Sequence, residues 1–175
     1  CLQFLFASLR GYFLLGDREL EVVGSLASLP VLSARIHAGE ITPTEIVEWC
    51  LQRIDEREEQ IHAWAYVARQ EARHEAVRLT GELKTKGPRS LLHGIPFGVK
   101  DIFDTADVPT EWGSPIYRGR VPSEDAALVA KLREAGTIVL GKTHATAFAY
   151  YDPGPTRNPY NLAHTPGGSS SGSAA

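Results

Sequence analysis

A helix that ends on a glycine and runs at once into a buried strand constrains this chain most. Ser123 is placed to cap a helix whose first turn carries Glu124 and Asp125, favourable at the positive end of the helix dipole. Ala127, Leu128, Ala130 and Leu132 supply its apolar face, Gly136 stops it, and Thr137-Ile138-Val139-Leu140 reads as a short buried strand. Helix, glycine and buried strand together signal an α/β fold. Upstream, Ile95-Pro96-Phe97-Gly98-Val99-Lys100 reads as a second short strand, interrupted by Pro96 and Gly98.

The first half reads as helical. Thr42-Pro43-Thr44-Glu45 is a helix start, with Thr42 as N-cap, Pro43 at the first helical position and Glu45 closing a capping box. Ile46, Val47, Cys50, Leu51 and Ile54 then form an apolar stripe at helical spacing, so Cys50 reads as a buried small hydrophobe and not as a nucleophile. A further helix is predicted over Ala65 to Lys86, with Ala68, Ala72, Ala76, Leu79 and Leu83 on one face and a stop at Gly87-Pro88. Its charges read as a solvated face, and His62 and His74 as surface histidines. Residues 151–168, rich in Pro, Gly and Asn, read as a long loop, which in a compact domain is functional or disordered.

Composition excludes several classes. The chain has 175 residues with 18 basic and 21 acidic side chains, a net charge of −3. That argues against a nucleic-acid binder relying on bulk positive charge. Two cysteines, Cys1 and Cys50, make neither a disulfide framework nor a zinc site. The apolar stretch 2–15 is shorter than the ~20 residues of a membrane span and lacks the flanks of a secretory signal. It reads as a packing segment or artefact, with targeting or membrane contact as the alternative. The chain contains no methionine and begins at Cys1, so it is expected to be processed, trimmed or partial.

Three motif matches carry chemistry. Gly136 to Thr143 fits the phosphate-loop pattern GxxxxGK[ST], but a helix precedes it and its middle, Thr-Ile-Val-Leu, is strand-like, so Lys142 reads as a strand-end residue with a structural or site-lining role. Gly168-Ser169-Ser170-Ser171-Gly172 fits the nucleophile elbow GxSxG with Ser170 as nucleophile, but Pro166 and Gly167 stand where a buried strand should lead in. The third reading joins the Gly/Ser run Gly167–Ala175 to Lys100: clustered hydroxyls beside a lysine that burial would make a base. A simple Gly/Ser linker remains the alternative.

These blocks, taken in order, resemble the amidase signature family. Gly94-Ile95-Pro96-Phe97-Gly98-Val99-Lys100-Asp101 resembles its lysine block. Gly113-Ser114, then Ala135-Gly136 with Val139 to Thr143, resemble the next blocks. Thr156-Arg157-Asn158-Pro159 and Pro166 to Ala175 resemble the start of its Gly/Ser signature. The resemblance extends from about residue 24, through Ser25-Leu26 and the helix from Thr42, to Ala175, which sets a poorly defined segment 1–23 apart from a truncated catalytic domain, 24–175.

The resemblance implies a mixed sheet covered by helices, of which this is the N-terminal part, and an amidase using a Ser–cis-Ser–Lys triad. Lys100 takes the place of the triad lysine and Ser169 that of the serine with the cis peptide. The nucleophile and the oxyanion amides would lie beyond Ala175, so the isolated chain is expected to be inactive. Ser170 and Ser171 are expected to hydrogen-bond around the site, and Phe148 and Tyr150 to lie near the substrate pocket. No metal or organic cofactor is implied. The implied partner is a small-molecule amide, with no nucleic acid and no membrane; a homodimer is left open, and the location is cytoplasmic. The wording from Gly154 to Ser173 resembles malonamidase-like and allophanate-hydrolase-like members more than the glutaminyl-tRNA amidotransferase subunit. Two competitors stand beside this reading: an α/β-hydrolase-type esterase using Ser170, and a scaffold or binding module without chemistry.

Overall fold

The helix start at Thr42 forms through reciprocal bonds. Glu45 N donates to Thr42 Oγ1 at 3.2 Å, and Thr42 N donates to Glu45 Oε2 at 2.8 Å. Two of the amides left free at a helix start are thereby satisfied. A computed structural model describes residues 28–175; the segment 1–23, its apolar run 2–15 and Ser25-Leu26 lie outside the described residues. In chain order the elements are α1 (Leu29–His37), α2 (Pro43–Ile61), β1 (Trp64–Val67), α3 (Arg69–Lys86), β2 (Pro96–Lys100), α4 (Ala127–Glu134), β3 (Ile138–Thr143) and α5 (Ser171–Ala174). Short 3-10 turns occupy Pro115–Tyr117 and Ala147–Ala149.

The three strands form one mixed sheet in the order β1-β3-β2, with β1 antiparallel and β2 parallel to the central β3. Every residue of β3 is buried. Ile138 and Leu140 pack on Val47, Leu51 and Ile54 of α2 and on Ala72, Ala76 and Leu79 of α3. Val139 packs with Val99 of β2 and Val129 of α4 in a separate cluster, as the alternation of a strand requires. Helices therefore cover the sheet on both faces, the arrangement expected from the sequence. Leu32 and Ile36 of α1 close a further cluster with Ile41, Ile46 and Ile95. Full burial of one such side chain stabilises by about 1.5–3 kcal/mol.

Two boundaries differ from the sequence reading. The helix predicted from Ala65 begins only at Arg69, because Trp64–Val67 pair with β3 as a strand. Aromatic and β-branched residues suit that pleated edge, and Ala68 N carries the pairing one bond further, to Leu140 O at 2.8 Å. The helix predicted from Ser123 begins at Ala127. Asp125 does not serve its first turn; its carboxylate accepts from Ala106 N at 2.8 Å and pairs with Arg133 at 3.1 Å. The buried face of α4 is consequently Val129, whereas Leu128 is 41% exposed. The charges of α3 do form a solvated face: Arg73 bridges to Glu48, and Arg78 to Glu75 and Glu82. His62 and His74 are exposed. No helix among the described residues is long and apolar enough to cross a membrane.

Gly141 in β3 has φ +150, and a Cβ there would fall 2.1 Å from Tyr66 O of β1. Gly141→Ala is expected to push β1 away from β3 and to lower stability by roughly 1–3 kcal/mol, read from the denaturant midpoint. Cys50 lies between the two larger apolar clusters, and burial pushes its thiol up to about 12. Iodoacetamide followed by peptide mapping should find Cys50 unmodified in the native chain and alkylated only after denaturant is added.

Candidate active site

The parallel pairing of β2 with β3 brings the carboxyl ends of both strands to one edge, with Lys100 opposite Thr143. In open α/β sheets ligand chemistry gathers at such an edge. From Thr143 the chain continues through His144 to Thr146, and this short run holds the Gly/Ser segment. Thr146 N donates to Ser169 O at 3.0 Å, Gly172 N donates to His144 O at 2.9 Å, and the Thr143 and Ser173 hydroxyls lie 2.9 Å apart. The peptide bond between Gly168 and Ser169 is cis.

This docking sets Lys100 Nζ 2.7 Å from Ser169 Oγ, although the residues stand 69 positions apart in sequence. Lys100 is half-buried. Burial holds its amine below the ordinary lysine value of 10.5, because removal from water disfavours the charged form. The pair can therefore pass a proton between an amine and a hydroxyl.

A cavity of about 520 Å³ opens beside Ser169. Its wall includes Gly168, Thr146, Tyr150 and Tyr151, the two tyrosine rings meeting edge to face at 4.5 Å. Tyr150 is thus part of the cavity wall that holds Ser169. Phe148 does not line this cavity; it is half exposed and its ring sits 6.1 Å from that of Tyr117. The long loop 151–168 is fastened at its middle, where Thr156 Oγ1 donates to His62 O and Arg157 N to Ile61 O, each at 2.7 Å.

The other motif matches resolve on context. The phosphate-loop match is the buried strand β3 with its lead-in, and Lys142 is enclosed within the sheet. No strand leads into Ser170, which sits at the start of the four-residue α5, so the strand–turn–helix of a nucleophile elbow is not formed. Ser169, not Ser170, faces Lys100. Ser171 Oγ is buried and has no hydrogen-bond partner among the described residues, contrary to the bonding expected of it. The sequence reading missed Thr146, whose amide holds Ser169, and Asp101, which is 2% exposed. An acidic residue next to a strand-end lysine carries a signal of its own; a backbone amide donor carries none.

The Amidase family model matches residues 45–175. A glutamyl-tRNA(Gln) amidotransferase subunit of Mycobacterium bovis is 42% identical over 151 residues, covering 82% of this chain and 31% of the relative. The structure of native peptide amidase from Stenotrophomonas maltophilia is similar with a TM-score of 0.78 and 36% identity, covering 83% of this chain and 32% of that one. An amidase family protein from Bacillus anthracis has a TM-score of 0.79 at 28% identity, covering 94% of this chain and 35% of that one. The chain belongs to the amidase signature family, and it spans about a third of the length of these relatives.

Proposed function

We propose that the chain carries the base and the relay serine of an amidase that hydrolyses small carboxamides through a Ser–cis-Ser–Lys triad. The observation that supports this most directly is the 2.7 Å contact between Lys100 Nζ and Ser169 Oγ beside the cavity. In this reading the nucleophile serine and the oxyanion amides belong to a part of the enzyme outside these 175 residues. Neutral Lys100 takes the proton of Ser169, and Ser169 takes that of the nucleophile. The nucleophile oxygen bonds to the amide carbon; collapse of the tetrahedral intermediate breaks the C–N bond, and the relayed proton leaves with the amine. Water repeats the sequence on the acyl-enzyme and releases the acid. The enzyme acts in the cytoplasm, a reducing compartment that suits the free thiol of Cys50.

The identity to glutamyl-tRNA(Gln) amidotransferase subunits favours a second reading, in which the amide nitrogen passes to an acceptor instead of being lost to solvent. Release of free ammonia from a small carboxamide by the full-length enzyme alone distinguishes hydrolysis from obligate transfer.

Lys100→Ala in the full-length enzyme should lower kcat by at least about 100-fold; activity within a few-fold of the parent would remove Lys100 from the mechanism. The working form of Lys100 is neutral, so activity should rise with pH and level off at a pKa below the ordinary lysine value of 10.5. The acid limb of the kcat/KM profile reports it. Purified 1–175 should show no amide turnover, and measurable ammonia release would count against a nucleophile located elsewhere.

A further inference from the structure

Lys142 is fully buried, 0% exposed, in the central strand. A lysine enclosed in this way needs partners for its ammonium. Among the described residues these come from one short stretch: Nζ donates to Phe103 O, to Thr110 Oγ1 at 2.8 Å and to Thr105 Oγ1 at 3.2 Å, and lies 4.0 Å from Asp101 Oδ1. That stretch is the loop that leaves Lys100. Its first turn closes on Lys100 itself, whose carbonyl accepts from Ile102 N at 2.7 Å and from Phe103 N at 3.1 Å. Asp101 then ties the loop to its own far end, accepting from Glu111 N at 3.0 Å and Gly113 N at 3.1 Å.

The far end of the loop abuts the segment that holds Ser169. A Cβ on Gly113 would fall 2.5 Å from Ala145 O, so only glycine allows this approach. Trp112 O accepts from Phe148 N at 2.9 Å, which fixes the same segment from its other side. Between these contacts lies Thr146, whose amide holds Ser169 O. The loop 101–113 therefore runs from the backbone of Lys100 to the support of Ser169, with the Lys142 ammonium fastened at its centre.

We propose that Lys142 is a positioning residue for the Lys100–Ser169 pair. Its bonds to Phe103, Thr105 and Thr110 keep the loop in the shape that sets both members at transfer distance. The proposal rests on the relay reading above and adds a residue that touches neither the substrate nor the reacting atoms. A lysine that served stability alone would leave turnover intact once the chain was folded. A lysine that sets the relay geometry lowers kcat by more than it changes KM, because the loop reaches Lys100 directly and meets the cavity wall only through the segment that carries Thr146.

The test measures kcat and KM of the full-length enzyme on a small carboxamide for Lys142→Met and for the double variant Thr105→Val, Thr110→Val, with Lys100→Ala in parallel. Circular dichroism checks folding. Displacements near 1 Å cost up to about 100-fold in rate, so kcat is expected to fall about 10- to 100-fold in Lys142→Met, more than KM changes, and the double variant to follow in the same direction. A folded Lys142→Met with kcat within about twofold of the parent, or with its loss entirely in KM, overturns the proposal. If Lys142→Met does not fold, the double variant decides: a loss mainly in kcat supports the proposal and an unchanged kcat overturns it. Activity retained by Lys100→Ala as well overturns the relay reading itself; activity retained by Lys142→Met alone overturns only the positioning role.

Discussion

The central strand β3 is enclosed by β1 and β2 at its edges and by helices on its faces, and each part of the site hangs from it. Its backbone groups have no access to water, so they must be met by neighbouring strands, which fixes the register of β2 and with it the height of Lys100. Its continuation, His144 to Thr146, supplies the backbone groups that hold the Gly/Ser segment. Lys100 and Ser169 are thus brought together by two attachments to a single strand, one through the sheet ladder and one through its extension.

Two lysines near this edge show how the surroundings decide what an amine does. Burial lowers both, but their partners differ. Among the described residues the Lys100 amine meets one hydroxyl, that of Ser169. Lys142 faces a carbonyl and two hydroxyls, and Asp101 opposes the effect of burial, which brings the amine down to about 8. The first setting suits a group that gives up and regains a proton. The second suits a group that donates several fixed bonds at once.

Much of this was legible in the sequence where one residue type had one physical use. Thr42-Pro43-Thr44-Glu45 specifies its own helix start, and Gly87 and Gly136 mark helix ends because only glycine takes those torsions readily. The motif reading joined Lys100 to the Gly/Ser run as a whole, and only the ordered resemblance of several blocks singled out Ser169, since nothing local to either residue points across 69 positions. Trp64–Val67 was missed because alanines at helical spacing follow directly and blur the boundary, while the strand exists only by pairing with β3. The start of α4 was misplaced because Asp125 is drawn to Ala106 and Arg133, tertiary partners that outweigh its preference for a helix start.

The supports of the Gly/Ser segment are mostly main-chain: Thr146 N to Ser169 O and Gly172 N to His144 O, with Asn158 N to His164 O inside the loop that precedes it. Bonds of this kind ask little of side-chain identity. Side chains add to the frame at three positions, where Tyr160 N donates to Asn158 Oδ1, Ala163 N to Asn161 Oδ1 and Gly167 N to Thr165 Oγ1, whereas the exposed side chains of Tyr160 and Leu162 can change without loosening it. The cavity wall draws on this loop at Tyr151, Pro153 and Thr165, so its surface can be reshaped at Tyr151 and Pro153 while the backbone bonds that place Ser169 stay in force.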